Sequence, residues 1–223
     1  MLSSNQKTLR KIGLILLPAL LWAGIFLLRP VLYHPWCATH AALCSPNQVN
    51  ALDRWAFHFG SIRADFWSTV VQNSVGVVAV LLPFLLYLGK EPIRALREDF
   101  RLLQITLWNG VSLELVRSLV QRPRPLVLRS PLIEGANLNQ YTSFYSGHMS
   151  FVALATLTMY FMVVRRFPQQ KWIQMNFFLF FLMATALTGA LRVIGGRHYP
   201  TDVLCGFLVG CTWALFFQKK TSL

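Results

Sequence analysis

Six apolar runs, separated by short polar stretches, limit what this chain can fold into. They cover residues 12–28, 66–89, about 102–120, 148–164, 172–191 and about 203–217. Their lengths approach the roughly 20 residues that an α-helix needs to cross a hydrocarbon core. In lipid the backbone must satisfy its own hydrogen bonds, so such runs imply helices. Only 13% of residues are charged, against about a quarter in soluble domains. The expectation is an all-α integral membrane bundle of six transmembrane helices, with residues 1–223 as a single membrane-embedded domain. The first run follows Lys7, Arg10 and Lys11 and is succeeded by Arg29-Pro30 rather than a small-residue cleavage site. It therefore reads as an uncleaved span.

Loop charge sets the orientation. With the N-terminus inside, twelve basic residues, every lysine among them, fall on inner segments and nine arginines on outer ones. Both ends are then inside. The first outer loop holds a stretch, 51–67, that mixes Trp55, Phe57, Phe59, Phe66 and Trp67 with Asp53, Arg54, Arg63 and Asp65. It reads as a helix lying in the interface. The net charge of +13 would favour nucleic acid in a soluble protein. Here the basic residues form short clusters between apolar runs, which points to topology signals and an anionic substrate, not to nucleic acid. Cys205 and Cys211 lie within the last apolar run as inert thiols. Cys37 and Cys44 are close enough in an outer loop to form a disulfide, with two free thiols as the alternative.

This topology brings three polar stretches to one side of the membrane. Residues 117–125 close the third run, Ser146-Gly147-His148 opens the fourth, and 192–202 join the fifth to the sixth. Together they can form a pocket at the mouth of the bundle. Arg117, Arg124 and Arg192 supply three fork-shaped cations suited to phosphate or diphosphate. Ser146 and Gly147 begin a helix, where backbone N–H groups can face an anion. His198, with Asp202 to stabilise its imidazolium, can attack phosphorus, and His148 can protonate the leaving oxygen. With three arginines to neutralise charge, no metal and no cofactor is required. Glu114 lies three residues before Arg117 and pairs with it on one helix face. Arg122, Arg129 and Arg197 read as topology or headgroup contacts.

These residues resemble the type 2 phosphatidic acid phosphatase family, of the superfamily shared with vanadium haloperoxidases. That pattern is Lys, six residues, Arg-Pro; then Pro-Ser-Gly-His; then Ser-Arg, five residues, His, three residues, Asp. The chain offers Arg117 with Arg124-Pro125, then Tyr145-Ser146-Gly147-His148, then Leu191-Arg192 with His198 and Asp202. Arg117 stands for the lysine, Tyr145 for the proline and Leu191 for the serine. None of these departures removes a reacting group. The resemblance implies that His198 is the nucleophile, Asp202 its partner and His148 the general acid. Arg117, Arg124, Ser146, Gly147 and Arg192 would hold the phosphate. It further implies a bacterial inner-membrane enzyme with a periplasmic site. Its lipid phosphate or diphosphate substrate would be phosphatidic acid, phosphatidylglycerol phosphate, undecaprenyl diphosphate or a lipid A phosphate. The alternatives are a lipid phosphotransferase using the same phosphohistidine and a non-catalytic lipid-phosphate transporter. Oligomeric state leaves no mark in the sequence.

Overall fold

The computed structural model describes residues 4–34, 46–87, 89, 91–129 and 138–219. Cys37 and Cys44, the pair considered for a disulfide, lie outside the described residues. Among those described, every regular element is helical. Six helices are long: α1 (Ser4–Leu27), α2 (Ile62–Tyr87), α3 (Pro92–Val120), α4 (Gly147–Arg166), α5 (Lys171–Ile194) and α6 (Pro200–Lys219). Four of them, α2, α4, α5 and α6, are long and apolar enough to cross a membrane. The apolar part of α1 is shorter, Gly13–Leu27. Helix α3 carries Arg94, Arg97, Glu98, Asp99 and Arg101 near its start and Glu114 and Arg117 near its end.

Local chemistry sets the helix ends that matter for function. Pro92 begins α3, where a missing N–H costs nothing. The helix stops at Gln121, which takes a left-handed conformation with φ 44° and donates its backbone N–H to the Arg117 carbonyl. Arg122-Pro123 follows and cannot continue the helix. The Gln121 side chain donates to the Leu32 carbonyl and accepts from the His34 N–H, which ties the chain after α1 to the end of α3. Ser146 caps α4 by accepting the Met149 N–H. Asp202, third in α6, accepts the Tyr199 N–H at 3.0 Å, one half of a capping box. After α5, Gly196 sits at φ 65°, and a Cβ there would meet Leu126 and the Phe59 carbonyl at 3.1 Å. Only glycine makes that turn without strain.

Helix α4 is the most enclosed of the six and packs on α6, α5 and α2. Val152, Leu154, Ala155, Met159 and Val163 from α4 interleave with Val75, Ala79 and Leu82 of α2 and Leu102 and Ile105 of α3. The α4–α6 seam is closed by small residues, since lipid tails are as apolar as leucine and close packing must hold the helices together. A Cβ at Gly206 would lie 2.6 Å from the Ser146 carbonyl oxygen, and one at Gly210 would lie 2.3 Å from that of Ser150. Gly210→Ala is therefore expected to lower stability by about 1–3 kcal/mol through overpacking. Thermal unfolding in detergent measures this, and an unchanged midpoint would contradict so tight a seam.

The stretch 51–67 is not one interfacial helix. It forms two short helical pieces, Ala51–Arg54 and Trp55–His58, and then breaks. Phe59 is extended (φ −117°, ψ 161°), and Gly60 packs tightly against Leu126 and Arg129. Phe66 and Trp67 belong to α2. The alternation of rings and charges reflects two surfaces, one packed on Tyr199 through Phe57 and one exposed at Phe66 and Trp67.

Candidate active site

His198 lies in the five-residue turn between α5 and α6 and is 1% exposed. Its Nδ1 stands 2.7 Å from the backbone carbonyl of Ser143. A carbonyl can only accept, so Nδ1 carries the proton and Nε2 keeps a free lone pair. That Nε2 is buried and has no hydrogen-bond partner among the described residues. Asp202 stands 3.7 Å from Nδ1, too far for a hydrogen bond. The Ser143 carbonyl, not the aspartate, fixes the tautomer. Asp202 acts one step back: its Oδ2 accepts the Ser143 hydroxyl at 2.5 Å and so places the carbonyl that holds the ring. It also keeps a negative charge near the imidazole. All its partners, Arg122, Ser143 and the Tyr199 N–H, are donors, as a carboxylate requires.

Three guanidinium groups crowd the same space. Arg117 comes from the last turn of α3, Arg124 from the turn after it and Arg192 from the last turn of α5. The Nε of each is buried without a hydrogen-bond partner among the described residues. Three unspent N–H donors beside an unspent imidazole nitrogen make a site complementary to an oxyanion. Burial first, then the nearby Arg192 and Arg117, push the Arg124 guanidinium down to about 9. It stays cationic at neutral pH, but like charges held together without water are relieved by an anion. Burial, then Arg192, Arg124 and Arg117, hold the His198 imidazole well below its ordinary value. The imidazole is thus a free base across the physiological range.

Arg117, Arg124, Arg192, Gly147 and His148 line one cavity of about 330 Å³. A second, of about 420 Å³, shares Arg124, His148 and Arg192 with it and adds Asp65, Thr69 and Arg197 at the mouth. His148, second in α4, therefore faces the arginines from the opposite helix. A Cβ on Gly147 would meet Leu113 at 2.8 Å and Arg117 Nη2 at 3.3 Å, so the glycine lets Arg117 lie against the start of α4. Ser146 does less than its sequence position implies. Its N–H donates to the Asp202 carbonyl at 3.0 Å and its hydroxyl caps α4, which leaves no backbone donor for a ligand. The free donors at this helix start are those of Gly147 and His148, which have no intrahelical acceptor.

Several residues that hold the site were not singled out by sequence reasoning. Asp65 of α2 binds Arg192 at 2.7 Å and Arg197 at 2.8 Å, and Ser68 accepts from Arg192 at 3.0 Å. Arg197 is thus part of the mouth, not a headgroup contact. Arg122 is likewise no topology signal. It bridges Asp202 at 2.6 Å and Asp53 at 2.7 Å, and its guanidinium lies 4.0 Å from the centre of the Tyr199 ring. Arg129, which donates to the Phe59 carbonyl, remains peripheral. Glu114 pairs with Arg117 at 3.7 Å as its spacing implies, and also binds Arg29 at 2.5 Å, which fastens the chain just after α1 to α3. The available signal was scarcity: with eight acids against 21 basic residues, Asp53 and Asp65 beside an arginine-rich face had partners waiting.

A pH profile tests the electrostatics. The depressed His198 imidazole stays unprotonated as pH falls through the ordinary histidine value, about 6.5. The acid limb of kcat/KM, corrected for the substrate's own ionisation, is expected below that value. A limb centred on it would mean that the arginine cluster does not act on His198.

The structure is similar to the crystal structure of a transmembrane PAP2-type phosphatidylglycerolphosphate phosphatase from Bacillus subtilis, with a TM-score of 0.59 and 18% identity over 92% of this chain and 96% of that one. At that identity the likeness speaks for the fold. A family model described as the PAP2 superfamily matches residues 100–221, which run from α3 to the end of α6 and contain all three polar stretches. By that match over more than half its length, the chain belongs to the PAP2 superfamily.

Proposed function

We propose that this protein is a membrane lipid phosphatase that releases phosphate from a lipid phosphate or diphosphate monoester through a phosphohistidine. The observation that carries this reading is the unspent Nε2 of His198 beside three unspent arginine Nε–H groups. The arginines hold the phosphoryl oxygens. Nε2 of His198 forms a bond to phosphorus as the bond to the lipid oxygen breaks, and His148 gives that oxygen its proton. The phosphate's own negative charge lets His148 keep a proton among the guanidiniums. Nδ1–H stays on Ser143 throughout, and Asp202 balances the charge that develops on the ring. Water deprotonated by His148 then attacks phosphorus, the P–N bond breaks, and phosphate leaves. Every step is served by residues of the chain, without a metal.

A lipid substrate is favoured by the walls around the phosphate cavity. Trp22, Leu113 and Phe151 line one side of it. An apolar groove between α1 and α3, lined by Ala19, Ala23, Phe26 and Leu107, shares Trp22 with it. We read residues 1–223 as one domain of six spans with both ends inside, α1 and α3 completing the four apolar helices. In the bacterial inner membrane the site then faces the periplasm. The lipid choices are phosphatidic acid, phosphatidylglycerol phosphate, undecaprenyl diphosphate and lipid A phosphates.

The test is phosphate release by purified protein from each of these lipids, with a chelator present and with alkaline detergent quenching to trap the phosphoenzyme. Turnover unaffected by chelator, inhibition by vanadate, and acid-labile, base-stable phosphate on the protein are expected. Absence of turnover on every lipid, with phosphate lipid still bound, would favour a transporter instead.

A further inference from the structure

At the end of the bundle opposite the candidate active site, a cavity of about 590 Å³ opens beside the start of α3 and the end of α4. Arg94, Arg97, Arg101 and Arg165 line it, with Glu91 and Glu98 as its only acids among the described residues. Four guanidiniums face two carboxylates, and the pairing is uneven. Glu98, only 4% exposed, binds Arg101 at 3.2 Å and Arg165 at 3.0 Å. Glu91 binds Arg94 at 3.1 Å. Arg97 has no carboxylate partner among the described residues, and the Nε of Arg165 is buried without a hydrogen-bond partner. A buried carboxylate that serves two arginines costs solvation and fixes their forks in one orientation. The result is an oriented, net-positive pocket with donors still to spend. Its size suits a small polar group.

The surroundings say what carries that group. Ile93, which also lines the cavity, is 70% exposed, and Leu96 beside it is 60% exposed. Apolar side chains that open outward next to an arginine pocket match a molecule with a phosphate head and hydrocarbon tails. On the orientation proposed above, this end lies at the inner leaflet, where anionic lipids collect and basic pockets between helices take their headgroups. We propose that this cavity is a second lipid site, distinct from the catalytic one, that binds the phosphodiester headgroup of an anionic phospholipid.

The test compares wild type with Arg94→Gln/Arg97→Gln, in which chain length and the Glu98 cluster are kept. Native mass spectrometry of the full chain in detergent counts bound short-chain phosphatidylglycerol, with phosphatidylcholine and inorganic phosphate as separate arms. Occupancy of the catalytic arginines is common to both proteins and cancels in the comparison. The double variant is expected to bind phosphatidylglycerol roughly tenfold or more weakly, with phosphate release from a soluble substrate within about twofold of wild type. Arg97→Gln alone, at an exposed position, is expected to weaken binding severalfold and carries the test if the pair disturbs folding. Equal phosphatidylglycerol binding in wild type and variants, equal retention of phosphatidylcholine, or retention of inorganic phosphate in place of the lipid would each overturn the proposal. The readout is binding, so it stands apart from whether the outer site proves to be a phosphatase.

Discussion

His198→Ala is expected to abolish phosphate release, a fall in kcat of about 10⁴-fold or more. The side chain is one of the largest that is fully buried, so alanine also leaves a hole and an unpaired Ser143 carbonyl. His198→Asn separates the two effects. Its amide N–H can reach toward the Ser143 carbonyl, but it offers no nucleophile, so folding is retained and turnover is not. Phosphate on the protein should vanish in both variants. His148→Ala should differ in kind. As the proton donor it is worth about 10²–10⁴-fold; in kcat/KM, which reports phosphorylation and not the later water attack that His148 also serves, that loss should shrink with an activated leaving group such as p-nitrophenyl phosphate, which needs no proton. If His198→Asn keeps activity within tenfold of wild type, the attack comes from elsewhere. If both histidine variants fall equally on every substrate, the roles assigned to them are wrong.

The residues proposed to carry the reaction were legible because chemistry restricts them. A histidine, a partner carboxylate and three arginines at one membrane face have few other uses. Bringing them to one end of the bundle required only that the apolar runs be helices. What could not be read was the support. Ser143 orients His198 through its backbone carbonyl, a group every residue possesses. Ser146 spends its N–H on the Asp202 carbonyl because α4 and α6 start side by side, a tertiary fact with no local trace. The break after His58 was hidden for a similar reason. Rings and charges in 51–67 alternate as an interfacial helix would, but Gly60 is pinned by Leu126 and Arg129 from a distant segment. Asp65 and Asp53 are paired with arginines more than 60 residues away, so no helix-spacing rule could couple them.

Arg122 shows what that hidden support contributes, and Arg122→Met is expected to be among the most damaging substitutions outside the reacting groups. Among the described residues Arg122 is the one cation bound to both Asp53 and Asp202, each 0% exposed. Burial alone would raise the Asp53 carboxyl, but hydrogen bonds from Arg122 and Thr201 hold it below its usual value. Methionine fills the space over Tyr199 and leaves two carboxylates facing each other without a counter-charge. Breaking a buried ion pair on one side costs about 3–5 kcal/mol. Asp53 also accepts the Thr201 N–H at 3.0 Å and so helps start α6, while Asp202 positions Ser143 and through it His198. Loss of stability and loss of turnover are therefore expected together. Removing one of the two acids with the cation distinguishes this from a direct contact with phosphate. Arg122→Met with Asp53→Asn should recover part of the stability, because one stranded charge is gone, but little activity, because Asp202 still lacks its partner. Arg122→Lys keeps a charge but has no fork with which to bridge two carboxylates, and should lie between methionine and wild type. Unfolding midpoints and kcat for the three variants decide the matter. A kcat lost with no change in midpoint would place Arg122 on the substrate, and an unchanged midpoint and kcat together would mean that the bridge is dispensable.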